Sequence, residues 1–182
     1  MVPGAPSSDS GFSSLAASPK SAHSLAPGPD YIPPASSFLF APEPRRDTLL
    51  HFLPSKAATD KLIARYFEAV HPVTRTVHRP SFERQYSLFW RNIGLNIEPP
   101  YSFQASVLAA LLSAIISLPD DSILSEYGAS KPELVENFRQ GAETALARAN
   151  FLRTTKLETL QAFVMYMVRR AEICARRIAH VC

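Results

Sequence analysis

The run ASVLAALLSAIISL, residues 105–118, limits more than any other feature what this chain can fold into. Its 14 residues carry no charge and include three serines. A membrane-spanning helix needs about 20 consecutive apolar residues. The run is too short to span a bilayer and too apolar to face water, so it has to be a helix covered by protein. The predicted helix extends from Ser102 to Leu118, with Val107, Leu108, Leu111, Leu112, Ile115 and Ile116 as a wide apolar face. Ala105, Ala109, Ala110 and Ala114 leave room for neighbouring helices to come close.

The rest of the chain has to supply the cover. Ten of the 16 prolines and three of the six glycines fall in residues 1–54. Such a segment buries too little apolar surface to offset its conformational entropy, so residues 1–52 are read as a disordered Pro/Ser/Gly-rich arm. Ser18-Pro19-Lys20 in it is a candidate phosphate acceptor, and FLFAP (38–42) and LLHFLP (49–54) are candidate docking or lead-in segments.

From residue 53 the spacing turns helical. Ser55 is a predicted N-cap for a helix through Val70, with Leu62, Ile63, Tyr66, Phe67 and Val70 on its apolar face and Pro72 as its stop. A second helix is predicted to open at Pro80, to carry Phe82, Tyr86, Phe89, Trp90 and Ile93, and to end at Gly94. After the run at 105–118, LPDD opens what reads as an acidic, turn-rich link.

A further helix starts near Lys131 or Pro132, with Leu134, Val135, Phe138, Ala142, Ala145, Leu146 and Ala149 in register. Thr155 and Glu158 have the spacing of a capping box ahead of Leu157, Leu160, Phe163, Val164 and Met167. No segment alternates with period two for long enough to be a strand. The expected fold is all-α, an array of about five to six helices over residues 53–168.

Candidate chemistry is sparse. His71 and His78 lie on either side of a proline-containing turn, not at the i, i+4 spacing that points two imidazoles at one metal. They read as structural residues of the turn. Asp120, Asp121 and Glu126 read as a solvated acidic link, and no phosphate loop, nucleophile elbow or zinc-protease motif is present. The formal charge is +3, and the segment 169–182, with Arg169, Arg170, Arg176 and Arg177 against Glu172, accounts for all of it. That basic tail reads as a solvated helix end, with an import signal or a phosphate-contacting patch as alternatives.

The two cysteines, Cys174 and Cys182, are too few for a disulfide framework or a four-ligand zinc site. The first residues lack a basic stretch followed by an apolar run, so no secretory signal is expected. A soluble protein with reduced thiols inside the cell follows.

Together, YFEAVHP (66–72), HRPSF (78–82), SVLAALLSAIISL and the helix LETLQAFVMYM resemble the fungal-specific transcription factor domain. This is the helical regulatory region of fungal zinc-cluster transcription factors. The positions that carry the match are Tyr66, Phe67, Val70, His71, Pro72, His78, Pro80, Phe82, Leu157, Leu160 and Gln161. The resemblance spans about residues 53–168.

It implies a transcription regulator, nuclear or nucleocytoplasmic and not an enzyme, that works through protein contacts with a full-length relative or with itself. A small-molecule effector is the alternative, and an enzyme subunit is the lowest-ranked reading. No cysteine precedes residue 174, so the zinc of the family is not expected here and contact with DNA is expected only indirectly. The chain reads as truncated at its carboxyl end, which leaves an apolar helix face uncovered. Leu111, Ile115, Phe163 and Met167 are the expected core or interface positions.

Overall fold

The computed structural model describes residues 49–179, with side chains from 50 to 169. Residues 1–48 of the expected arm lie outside the described residues, Ser18-Pro19-Lys20 and FLFAP among them. Among the described residues every regular element is helical. In order they are a 3-10 turn (Leu49–Phe52), α1 (Lys56–Arg65), a π-helical turn (Tyr66–Val70), α2 (His71–Thr74), α3 (Arg79–Gly94), α4 (Tyr101–Ser117), α5 (Asp120–Tyr127), α6 (Lys131–Arg148) and α7 (Leu157–Ala179). With α1, the π turn and α2 counted as one bent helix, the described body has six helices, and the all-α reading stands.

Helix α4 is the axle. All residues from Ser102 to Ile116 are buried, so it has no solvent face at all, whereas a single wide apolar face was expected. It packs chiefly against α6 and α7, and also against α1 and the π turn. Its buried polar groups bond to nearby backbone: Gln104 Nε2 donates to the Pro99 carbonyl at 2.6 Å and Ser113 Oγ to the Ala109 carbonyl at 2.8 Å. Internal pairing of this kind lets a helix with serines and a glutamine sit in a core without the cost of bare polar atoms.

The first helix departs from expectation at its end. Ser55 does cap it, accepting from the Ala58 N–H at 3.3 Å. Pro72, however, does not stop it. A proline inside an α-helix removes one N–H and drives its ring against the carbonyl four residues back. Here the backbone first widens, so that the His71 N–H bonds to the Tyr66 carbonyl, five residues back. The chain then carries Pro72 through to Thr74. Arg75, left-handed at φ 43°, ends the run with its N–H on the His71 carbonyl at 2.9 Å.

Three more boundaries differ. Helix α3 includes Gly94, and the left-handed position that closes it belongs to Asn96 (φ 59°). The stretch after LPDD is a helix, α5, rather than a link. Asp120 and Asp121 occupy its first turn, where negative charge suits the helix dipole, and Gly128 at φ 66° terminates it. Its Ile123 is fully buried. The box at Thr155 and Glu158 does not form, because α7 begins at Leu157 and the Glu158 carboxylate instead accepts from Gln85. A capping box does exist at Ser130 and Glu133, at the start of α6.

The largest correction concerns which side of α7 faces inward. Thr159, Ala162, Met165, Tyr166 and Arg169 are buried, and they form the side turned to the core. Leu157 (67%), Leu160 (43%), Val164 (47%), Met167 (46%) and Val168 (40%) are exposed. Small Thr159 and Ala162 fit the alanine-rich surface of α4 better than leucines would, so close packing decided the register. Of the expected core or interface positions, Leu111 and Ile115 are core, Phe163 is half-buried in a stack on Phe151 at 4.7 Å, and Met167 faces outward.

Phe52, read as the last residue of the arm, is buried. The Asn137 side chain holds its carbonyl at 2.9 Å. Gly141 of α6 makes this possible, since a Cβ there would stand 2.9 Å from the Phe52 Cβ and 3.1 Å from Leu108 Cδ2. Helix α7 runs without a break past residue 168 to Ala179, so the basic tail is its continuation as far as that residue.

Candidate functional site

The family-matching positions divide into a buried hinge and an open cleft. In the hinge, Tyr66, Phe67, Val70 and Phe82 are buried, and Phe67 meets Phe82 edge-on at 5.4 Å. His71 Nε2 lies 2.8 Å from the Val77 carbonyl oxygen, which can only accept, so Nε2 carries the hydrogen. His71 therefore staples the end of the bent helix to the loop that leads into α3. Pro72 is exposed, and Pro80 lies in the first turn of α3. The Tyr66 hydroxyl is held within hydrogen-bond distance of Thr76 Oγ1 and Met165 Sδ, at 3.2 and 3.1 Å, and burial pushes its pKa up.

The cleft lies between α3, α4 and α7, with a volume of about 250 Å³. Its lining brings both matched motifs together, His78 and Phe82 from one and Leu157 and Gln161 from the other. His78 takes the N-cap position of α3, but its ring does not cap the backbone; Nδ1 lies 2.9 Å from Ser81 Oγ. Gln85 Nε2 donates to Glu158 Oε1 at 3.1 Å, and Ser106 Oγ to the Glu158 carbonyl at 3.1 Å. The sequence singled out neither Ser81, Gln85 nor Ser106. Gln85 sits one turn after Ser81 on the same side of α3, a polar recurrence that could have been read.

A second hollow of about 220 Å³ shares Gln85, Phe103 and Glu158 with the first, so the Gln85–Glu158 pair stands between them.

The groups that would have to converge for catalysis or metal binding are otherwise engaged. His71 holds Val77, His78 holds Ser81, and Glu83 pairs with Arg79 at 2.7 Å. Among the described residues no group of three or more His, Cys, Asp or Glu is arranged to hold a metal. Asp120 pairs with Lys131 and Glu126 with Lys61, each at 2.8 Å, so these acids tie α5 to α6 and to α1. Arg169 is 9% exposed, and its charge reaches the Tyr66 hydroxyl. A guanidinium so covered does not belong to a surface patch. The backbone of Arg170, Arg176 and Arg177 lies on α7, and their side chains are outside the described residues. Among the described residues no helix is long and apolar enough to cross a membrane.

Comparison with known proteins finds the chain similar to a segment of several fungal transcription factors, C6 finger domain factors among them, in agreement with the resemblance read from its motifs. Relatives include the aurofusarin cluster transcription factor aurR2 of Gibberella zeae, 29% identical over 66% of this chain and 18% of its own length. The C6 finger domain transcription factor adaR of Aspergillus niger is 36% identical over 58% of this chain and 13% of its own length. A transcriptional regulatory protein of Schizosaccharomyces pombe is 31% identical over 73% of this chain and 21% of its own length. The chain thus spans about a fifth or less of the length of these curated relatives. No family model matches it. No solved structure matches it either.

Proposed function

We propose that this chain is a regulatory segment of transcriptional control that acts in the nucleus through protein contacts and performs no catalysis. The observation that carries the reading is its homology to factors named as transcription factors. The engagement of His71, His78 and Glu83 with separate partners supports the non-enzymatic part. Two cysteines cannot supply a six-cysteine zinc cluster, so in this proposal the chain itself holds no zinc and reaches DNA only through a partner. That partner is a full-length zinc-cluster relative or a second copy.

The test is to tether residues 1–182 to an unrelated DNA-binding module upstream of a reporter, with a fluorescent tag to follow location. The expected result is a reporter level different from that of the module alone, together with accumulation in the nucleus. An unchanged reporter with the tag spread through the cytoplasm would overturn the proposal.

A second reading, a small-molecule sensor, rests on the cleft at His78, Ser81, Gln85 and Glu158. The name of aurR2 ties that protein to the aurofusarin cluster, which makes control of a metabolite cluster the natural setting for such a sensor. At about 250 Å³ the cleft falls short of the roughly 300–1,000 Å³ usual for ligand pockets, which ranks this reading second. A thermal shift with a metabolite, lost in the Gln85→Ala variant, would promote it.

A further inference from the structure

Three carboxylates among the described residues are half-buried: Asp60, Glu143 and Glu158. A charge drawn out of water needs a partner to offset the hydration it loses. Asp60 has Lys56 and Glu143 has Arg139, each at 2.6 Å. Glu158 has no cation. Among the described residues only the neutral Gln85 amide donates to its carboxylate, at 3.1 Å on Oε1. A carboxylate offers about four lone-pair sites, so most of its accepting capacity is left to whatever enters the cleft. The first turn of α7 suits negative charge through the helix dipole, but that does not require the charge to stand between two hollows.

The walls are as selective as the charge. Neither hollow is lined by a lysine or an arginine. His78 is the only other titratable side chain in either lining, and its Nδ1 is engaged with Ser81. Phe82 lines the first hollow, Phe89 the second and Phe103 both. The Phe103 ring centre lies 5.3 Å from that of Phe82 and 5.8 Å from that of Phe89. Aromatic faces attract a cation placed over them, and a carboxylate partly shielded from water attracts it more strongly than one in the open. One fixed negative charge, phenylalanine walls and no fixed positive charge together reject anions and select an organic cation.

We propose that Glu158 anchors a subsite for a small organic ammonium ion. Its N–H donates to the carboxylate, and its apolar groups lie in the hollows on either side. The subsite rests on the second reading above, a small-molecule sensor, and gives the ligand of that sensor a chemical class. It also answers the shortfall in size. Hollows of about 250 and 220 Å³ together give about 470 Å³, within the roughly 300–1,000 Å³ usual for ligand pockets.

The probe is dibenzylamine, a secondary amine charged at neutral pH with one apolar ring on each side of its nitrogen. Its binding to chain 1–182 is measured by equilibrium dialysis beside dibenzyl ether, which keeps the shape and lacks the charge. The amine is expected to bind about tenfold or more tightly than the ether, as a charge-assisted hydrogen bond should provide. Glu158→Gln keeps an acceptor for Gln85 but removes the charge, and should weaken the amine by about tenfold while leaving the ether unchanged. Gln161→Lys supplies the missing cation from within, one turn along α7, and should weaken the amine in the same way. Circular dichroism checks that both variants keep their helix content.

Equal binding of amine and ether, amine binding indifferent to both substitutions, or no amine binding at all overturns the subsite. An uncharged metabolite that raises the melting temperature, and loses that effect in Gln85→Ala, would uphold the sensor and overturn the choice of a cation. Amine binding on the terms above, with no shift from any metabolite, would uphold the subsite and defeat the sensor.

Discussion

Two single positions carry energetic consequences that the chain's hydrophobic pattern does not announce. Thr159 is fully buried against α4 and its hydroxyl has no partner. A bare buried hydroxyl costs about 1–3 kcal/mol. Thr159→Val keeps the branched shape and is expected to stabilise the body by about 1 kcal/mol, read as a higher denaturation midpoint. Gly141→Ala should do the reverse. Alanine improves helix propensity by about 1 kcal/mol, but its methyl would press on the Phe52 Cβ, which lies near the backbone and cannot swing away. Overpacking of this kind costs about 1–3 kcal/mol, so a net loss is expected, with Phe52 displaced from α6.

Titration at this scale has a definite sign. Burial alone would raise the Asp60 carboxyl, but hydrogen bonds from Lys56 and Tyr86 outweigh it and hold it below its ordinary 3.8. The stability it contributes is present above that value and is lost as the pH falls through the lowered one. Tyr86 is shifted up, by burial first and then by its 2.6 Å bond to Asp60, and Tyr66 is shifted up by burial. Their contribution is complete below pH 10.0 and is lost as the pH rises through the raised values. Urea midpoints measured across pH should therefore fall at both extremes. Tyr86→Phe should weaken both losses, the acid one because Asp60 then reverts toward its ordinary value.

Among the elements, the capping box of α6 gives the clearest prediction. Ser130 and Glu133 satisfy one another's backbone donors, so Ser130→Ala should destabilise the body by about 1 kcal/mol, measured by chemical denaturation. This box and the one expected at Thr155 show what a sequence discloses about elements. Both stretches carry Ser or Thr three residues before Glu, and local spacing cannot tell which glutamate a tertiary partner will claim. Gln85 claimed Glu158.

The existence of α1, α3, α4, α6 and α7 was legible because their apolar residues recur at helical spacing. Helix α5 was not, because one buried isoleucine in eight residues leaves no period to read. The inward side of α7 was ambiguous for the opposite reason: it is apolar on two sides, and only the small side chains mark the one that fits α4. Of the candidate site, His78, Phe82, Leu157 and Gln161 were found by motif. Their meeting in one cleft depends on how α3 and α7 pack, which no local pattern encodes.

At the scale of the whole molecule, self-association through the exposed stripe of α7, one of the two kinds of partner proposed above, would tie stability to concentration. A second copy that binds only the folded chain stabilises it by mass action, so the melting temperature should rise with protein concentration and lose that dependence in Val164→Asp. A melting temperature independent of concentration in the unaltered chain would argue against any pairing by this face.

Helix α4 sets the last consequence. Because neighbours enclose its whole circumference, its amides have no local opening by which to meet solvent, and the only route is dissolution of the entire body. In deuterated buffer the protons of residues 105–114 should be the last to exchange, all with the same protection factor. That factor would report the global unfolding equilibrium directly.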